Sequence, residues 1–300
     1  MKIIVTGSLG HIGKPLTREL VQKGHAVTVI SSNPERREAI EALGATAAIG
    51  SMEDADFLIA TFKGADAVYV METLGAQGFF DQHLDVIEAI NKIGNNYRQA
   101  ILQSGVKRVV HLSSIGAHTD KGNGLLIFHY NVENILKQLP DDVSITFMRP
   151  VGFYDNLLGF INTIKTQGVI ATDYGGDNKK PWVSPLDIAD AVAEELVTPF
   201  EGRKVRYVAS EEISCNEIAG LLGAAIGKPD LKWVVIPDEL LLQGMIAAGM
   251  NLQVAKGLVE MNASTQNDAL YEDYYLHKPT LGKVKLTDFA KEFATIYHNS

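Results

Sequence analysis

Three glycines near the start of the chain, Gly7, Gly10 and Gly13, stand at G-x-x-G-x-x-G spacing within KIIVTGSLGHIG, residues 2–13. A turn of this spacing can cradle a phosphate anion. Glycine adopts backbone shapes that a Cβ opposes. Main-chain N–H groups can then approach a pyrophosphate, and the macrodipole of a following helix favours negative charge at its N-terminus. Gly13 is placed to let that helix pack closely on the preceding strand. Gly7, Ser8, Leu9, Gly10, His11, Ile12 and Gly13 are therefore the expected dinucleotide-binding residues. Glycine alone signals little in a chain with 27 of them. Context carries the reading: a β-branched run leads into the turn and an amphipathic segment leaves it.

A second group bears on the choice of dinucleotide. A site for NAD carries an acidic residue about 20 positions beyond the glycine turn, where it holds the ribose 2′-OH. Ser31, Ser32 and Asn33 occupy that place, so no carboxylate is there to repel a 2′-phosphate. Arg36 and Arg37 follow, and a guanidinium matches phosphate geometry. NADP is expected in preference to NAD, with Ser31, Ser32, Asn33 and Arg36 around the ribose. The alternative is that Arg36 and Arg37 form a solvated helix face.

These residues need a scaffold that repeats strand and helix. Strands are expected at Ile3–Thr6, Ala26–Ile30, Thr46–Ile49, Ala67–Val70, Arg108–Leu112 and Ser144–Met148, with helices at Ile12–Lys23, Pro34–Leu43, Met52–Phe62, Phe80–Gln103 and Leu125–Gln138. The strands are nearly unbroken apolar runs, as in a parallel sheet covered on both faces, and the alternation predicts a doubly wound α/β fold. Ser51 with Asp54 suggests a cap for the third helix. Gly24, Gly44, Gly64 and Gly105 sit where a left-handed residue ends a helix. The segment Asn91–Tyr97, NKIGNNY, puts poor helix formers inside the fourth helix, as a kink or an insertion. After Arg149-Pro150 the rhythm changes. Helices are expected at Phe153–Lys165, Ser184–Val197, Ser214 to about Ile226, Pro237–Glu260 and Thr287–His298, and strands at Lys204–Val208 and Leu231–Ile236. The expected division is a dinucleotide-binding core over 1–150 and a smaller, mostly helical substrate lobe over 151–300, packed on the core and partly interleaved with it.

Bulk properties exclude several classes. A net charge of −9 argues against a surface that coats nucleic acid. A single cysteine, Cys215, rules out an intrachain disulfide framework and a cysteine-based metal site. The histidines lack H-x-x-x-H or H-x-H spacing, so no metal is expected, and the G-x-S-x-G elbow of a serine hydrolase is absent. No run reaches the ~18 apolar residues of a membrane span. The chain enters a strand at once, which leaves no room for a signal peptide, so the cytoplasm is the expected location. The expected partner is a small-molecule substrate, with homodimerisation left open.

Several local patterns coincide: TGSLGHIG at 6–13, SSNPERR at 31–37, SGVKRVVHLSSIGAH at 104–118, HYNVE at 129–133, TFMRPVGFYDNL at 146–157 and WVSPLDIADAVAEEL at 182–196. Together they resemble the NmrA-like group of atypical short-chain dehydrogenases, over roughly residues 1–230. The resemblance implies a Rossmann-type NAD(P) domain with a smaller C-terminal lobe. Many relatives carry a basic residue where Ser32 stands, so the stronger NADP pattern is not complete here. Ser51 and Met52 correspond to the adenine site, where the wider superfamily often has an Asp. Val70, Met71 and Glu72 correspond to the pyrophosphate and nicotinamide-ribose wall, with Glu72 unusual so near phosphates and free to point outward. Ser113 corresponds to the hydroxyl beside the nicotinamide and the reacting carbonyl. Pro150 and Val151 correspond to the nicotinamide end, and Phe153, Tyr154 and Asn156 to the substrate cleft. Trp182 and Asp187 match a segment that looks structural.

Active short-chain dehydrogenases carry Tyr-x-x-x-Lys, often with Glu four residues later. Anchoring on Glu133 places His129 at the Lys position and Leu125 at the Tyr position, on one helix face. The usual proton donor is then missing. His129 is expected to bind the nicotinamide ribose and to serve as a general acid near neutral pH. Tyr130, about 100° around the helix, is the other donor. The catalytic set is thus His129, Ser113 and Tyr130. The resemblance implies an NAD(P)H-dependent reductase of a small flat electrophile such as a quinone. The alternatives are a non-catalytic NADP-binding redox sensor and, less favoured without the Tyr–Lys pair, a sugar-nucleotide epimerase or dehydratase.

Overall fold

The computed structural model describes residues 1–300 except for the side chain of Ala76. In the first half, strands β1 (Lys2–Val5), β2 (Ala26–Ser31), β3 (Thr46–Ile49), β4 (Ala67–Val70), β5 (Arg108–Leu112) and β6 (Ser144–Pro150) alternate with helices α1 (Gly13–Gln22), α2 (Arg37–Glu41), α3 (Ala55–Phe62), α4 (Gly75–Gly78), α5 (Val86–Ser104) and α6 (Ile127–Leu136). The second half runs β7 (Gly152–Phe153), α7 (Ile161–Gln167), β8 (Val169–Thr172), β9 (Lys180–Val183), α8 (Pro185–Val197), β10 (Arg203–Val208), β11 (Glu211–Ile213), α9 (Cys215–Ala225), β12 (Lys232–Val235), α10 (Asp238–Ala247), α11 (Leu252–Gln266), α12 (Glu272–Leu276) and α13 (Leu286–Asn299).

Seven parallel strands form the central sheet in the order β10-β6-β5-β4-β1-β2-β3. This is the doubly wound, Rossmann-type arrangement, with a smaller and largely helical C-terminal lobe. Ile3–Val5 of β1 lies between Val27–Val29 of β2 and Ala67–Tyr69 of β4. The strand order reverses there, and a ligand of an open α/β sheet binds beyond the strand ends at such a point. One face is covered by Leu16 and Leu20 of α1 with Ile188 and Val192 of α8. Leu58 and Phe62 of α3, Ile93 and Ile101 of α5 and Val132 of α6 cover the other. The lobe has its own core around Ile218, Leu222 and Phe293, and two small sheets, β11-β9-β7 and β12-β8. Beyond residue 150 the chain returns to the main sheet once, as β10 beside β6.

Several local expectations change. NKIGNNY does not interrupt the helix: α5 is continuous from Val86 to Ser104. Its poor helix formers serve tertiary contacts. A Cβ at Gly94 would stand 3.0 Å from Val132 Cγ2, so glycine permits the approach of α6. The Asn96 amide donates to the Met52 and Glu53 carbonyls at 3.2 and 2.9 Å. Asp54 rather than Ser51 caps α3, accepting from the Phe57 N–H at 3.0 Å, while Ser51 Oγ accepts from the Glu53 N–H at 3.1 Å. Gly24, Gly44, Gly64 and Gly105 do take positive φ.

Candidate active site

The glycine turn lies at the switch point, between the end of β1 and the start of α1. Its glycines differ in role. Gly7 has φ +82°, and a Cβ there would meet Met71 Sδ at 2.7 Å. A Cβ on Gly13 would stand 2.1 Å from the Ser8 carbonyl oxygen, so only glycine lets α1 begin against the turn. Gly10 is different: the nearest atom to its Cβ position is Gly7 O at 3.7 Å, and its φ is not positive. Gly10 faces open space and is not required by the turn. Ser8 takes φ 59°, and its N–H donates to the Ile30 carbonyl at 3.0 Å, which ties the turn to β2. Helical bonding starts with the Lys14 N–H to Gly10 O at 3.0 Å, and the N-cap residue, Ile12, offers no capping oxygen. The N–H groups ahead of that bond are the helix's orphan donors. His11 is exposed and paired with Asp155 of the C-terminal lobe; burial pushes that carboxyl up, opposed by the His11 charge.

A groove of about 230 Å³ continues from the turn over β2 and β3, between Gly7, Ser8, Ser31, Ser32, Ser51 and Met52. Ser8 and Ser31 hydroxyls are bonded at 3.0 Å. Two expected ribose residues are not in this wall. The Asn33 side chain accepts from the Glu35 N–H at 2.9 Å and so caps the short turn Pro34–Arg36, and Arg36 is exposed beyond it. Glu53, which sequence reasoning passed over, is in the wall.

At the end of β4 the groove adjoins a second space. Thr73 to Gly75 line the groove, and Met71 and Glu72 line a chamber of about 330 Å³. Leu112, Ser113 and Val151 from the strand ends, His129 from α6 and Phe153, Asn156, Trp182 and Tyr271 from the lobe surround it. Ser113, His129, Met71, Val151, Phe153 and Asn156 are thus brought together. Val70 lies in the core beneath, and Pro150 is buried in β6; neither is in the chamber wall. Tyr154 and Tyr130 depart from expectation, and of the two readings of Glu72 the outward one fails. Tyr154 is fully buried in the lobe, with its hydroxyl donating to Glu211 at 2.6 Å and its ring stacked on Phe289, so it does not face the cleft. Glu72 does not point outward: its carboxylate is buried 3.1 Å from His111 Nε2. Tyr130 is half-buried and absent from the chamber wall.

Ser113 and His129 have unlike surroundings. The Ser113 hydroxyl donates to Glu133 Oε1 at 2.7 Å. Glu133 is fully buried and held in a bidentate pair by Arg149, at 2.8 Å from Nε and 2.7 Å from Nη2. Arg149 also reaches Asp273 of the lobe at 3.1 Å, which accepts from the Tyr207 hydroxyl at 2.5 Å. Burial works to raise the Glu133 carboxyl, but Arg149 and then Ser113 more than offset it, and the group sits below the usual carboxylate range. Glu133 is therefore a structural anion that fixes the Ser113 rotamer. Burial, and to a lesser degree His111, lowers His129 to about 3. His129 is neutral at pH 7, so the expected acid near neutral pH is not there; Leu125, at the tyrosine position, is buried in the core.

Among the residues missed is Arg149, which the sequence marks only as the point where the rhythm changes, with no signal of its partners. Trp182 reads from the sequence as structural, Tyr174 and Lys180 stand in the segment just before it, and Asn262 and Tyr271 come from the region where the resemblance fades. No periodicity or motif marks them.

A doubly wound sheet with an uncapped glycine turn at its switch point, and a groove beside an apolar chamber along the strand ends, defines a Rossmann-type protein. The pattern of the NmrA-like family matches residues 1–291, and the chain belongs to that family. An isoflavone reductase homologue, A622 of Nicotiana tabacum, is 26% identical over 258 residues, covering 81% of this chain and 79% of its own. Triphenylmethane reductase of Citrobacter sp., crystallised with NADP(H), superposes with a TM-score of 0.76 at 19% identity, covering 97% of this chain and 99% of its own. The NADPH-dependent quinone oxidoreductase QOR2 of Escherichia coli, crystallised with NADPH, superposes with a TM-score of 0.72 at 18% identity, covering 97% and 99%. No helix among the described residues is long and apolar enough to cross a membrane.

Proposed function

We propose that the protein is an NAD(P)H-dependent reductase that delivers hydride to a flat electrophile, of which a quinone is the best fit. The observation that carries this is the adjoining of groove and chamber at Met71–Thr73, along the C-terminal ends of β1 to β6. The residues fit a dinucleotide: the uncapped α1 suits the pyrophosphate, Gly10 leaves room above it, and the serine hydroxyls suit a ribose. The reductase relatives support the same reading. When bound, a reduced nicotinamide supplies the hydride. Glu133 and Arg149 hold the Ser113 hydroxyl beside the chamber. His129, neutral, offers a ring nitrogen for a hydrogen bond. The apolar wall keeps water from the reacting face. Leu125, which cannot donate a proton, stands where active short-chain dehydrogenases carry their tyrosine, and a quinone tolerates this because its reduced oxygen can take the proton from water. Anaerobic mixing of protein-bound NADPH with a naphthoquinone panel tests the proposal: loss of the reduced-nicotinamide absorbance supports it. The missing donor also favours a second reading, a redox sensor that binds the cofactor without turnover, and the same experiment with no oxidation by any compound would select it.

Two outcomes follow for named residues. His129→Ala should weaken binding by ~0.5–1.5 kcal/mol, the scale of one neutral hydrogen bond. Because the imidazolium forms only toward pH 3, the wild-type rate should not fall as pH rises through the ordinary histidine value near 6.5. A pH–rate profile checks this, and a fall centred there, abolished in His129→Ala, would restore the general-acid role. NADPH should bind more tightly than NADH, since the ribose end lacks an acid at Ser31–Asn33. Arg36→Ala should reduce that preference by about 1 kcal/mol at most, as for any exposed charge pair. Fluorescence titration of both cofactors decides it; equal affinities would show that Glu53 outweighs Arg36.

A further inference from the structure

The lobe side of the chamber carries polar groups that the reading above leaves without a role. Asn262 of α11 lines the chamber and is more than nine-tenths buried. Its Nδ2 donates to Asp173 Oδ1 at 2.7 Å, and the Thr172 hydroxyl donates to the same oxygen at 3.2 Å. Asp173 directly follows β8 and is buried. Its Oδ1 accepts both bonds whether or not Oδ2 carries a proton. An amide has its donor and its acceptor on separate arms, so turning Nδ2 to Asp173 turns Oδ1 away from it. Among the described residues nothing donates to Asn262 Oδ1, and that oxygen is not sealed in the protein as the Trp182 indole nitrogen is. Tyr174, the residue after Asp173, also lines the chamber and is half-buried. Its ring lies against Trp233, with centroids 5.6 Å apart, and its hydroxyl bonds no described residue. Burial pushes that phenol above its ordinary value, so it keeps its proton.

We propose that this wall is a hydroxyl-recognition subsite, in which Asn262 Oδ1 accepts the O–H of a flat aromatic substrate and the Tyr174 hydroxyl donates to an oxygen of the same ring system. Asp173 is a positioning residue: it is not in the chamber wall, and it sets the sense of the Asn262 amide. The proposal rests on the chamber being the substrate end, and it narrows the substrate class to aromatics with a free hydroxyl, such as a hydroxylated quinone. A methyl ether or a carbonyl in that place sets oxygen against Oδ1 with no hydrogen between. Burial makes such an unmatched contact costly.

The test is fluorescence titration of the intact protein, without reduced nicotinamide, with a naphthol and its methyl ether. Wild type should bind the naphthol roughly three- to tenfold more tightly, the scale of one neutral hydrogen bond. Asn262→Leu should remove that gap. Asp173→Leu keeps Asn262 but frees its amide to turn an N–H outward, which the ether accepts, so the gap should close there too. A merely structural role for Asp173 would instead weaken both ligands alike and leave the gap. Tyr174→Phe should weaken both ligands by a similar factor, since its O–H donates to either oxygen. Equal binding of naphthol and ether by wild type, or an unchanged gap in folded Asn262→Leu, overturns the subsite. If Asn262→Leu does not fold, the wild-type ratio and Asp173→Leu decide. Because no hydride is transferred in this assay, a naphthol-selective site in a protein that oxidises no NADPH would sink the reductase reading and leave the subsite standing. Quinone turnover with no naphthol preference would do the reverse.

Discussion

Gly10→Val should lose dinucleotide binding by at least ~3 kcal/mol, more than roughly a hundredfold, while its thermal midpoint stays within about 2 °C of wild type. The separation comes from the geometry of the turn. At Gly10 the added Cβ meets only the Gly7 carbonyl, at an ordinary 3.7 Å, and the backbone is not left-handed. The branched side chain therefore costs the fold little, yet it adds bulk at the residue whose carbonyl accepts the first α1 hydrogen bond, beside the helix N-terminus where the pyrophosphate is expected. Gly13→Ala is the contrast. Its Cβ would lie 2.1 Å from Ser8 O, so the turn itself must move and stability should fall. Cofactor titration and a thermal melt on both variants separate the roles. Unchanged affinity in a folded Gly10→Val would place the pyrophosphate elsewhere.

Arg149→Met should cost ~3–5 kcal/mol, because it strands a buried carboxylate. Glu133 is fully buried, and its remaining cation, Lys137 at 3.1 Å, is partly in solvent. The pH dependence has a definite sign. In wild type the Glu133 carboxyl is held below its ordinary value, so its contribution is present above that value and is lost as pH falls through the lowered one. Without Arg149, burial is opposed only by the Ser113 hydroxyl and the partly solvated Lys137, so the group should rise and protonation should relieve the stranded charge. The deficit of Arg149→Met should therefore be smaller at pH 5 than at pH 8, and Glu133→Gln in the same chain should recover part of it. Denaturant unfolding at both pH values measures this; a deficit that does not vary with pH would mean that Glu133 is not the charge left behind.

The sheet could be read from the chain because its signals are local. Largely apolar runs such as Ala67–Val70 and Arg108–Leu112 keep their bounds in the structure, and the glycine turn falls at the switch point. The site was legible only where one segment supplies it. Ser113, Met71 and Phe153 follow strand ends and line the chamber. Tyr154, one residue from Phe153, does not, because Glu211 and Phe289 of distant segments claim it. His129 lines the chamber, but burial lowers its proton affinity, since spacing fixes a helix face while burial sets the charge. The chamber wall from Lys180 to Tyr271 was invisible because it is assembled by the lobe's tertiary packing.

The most direct test of the central claim is single-turnover reduction of a naphthoquinone by protein-bound NADPH carrying deuterium at the reactive C4 position. The account predicts cofactor oxidation in step with quinone reduction, slowed by the deuterium. Tight cofactor binding with no oxidation across the quinone panel would contradict it.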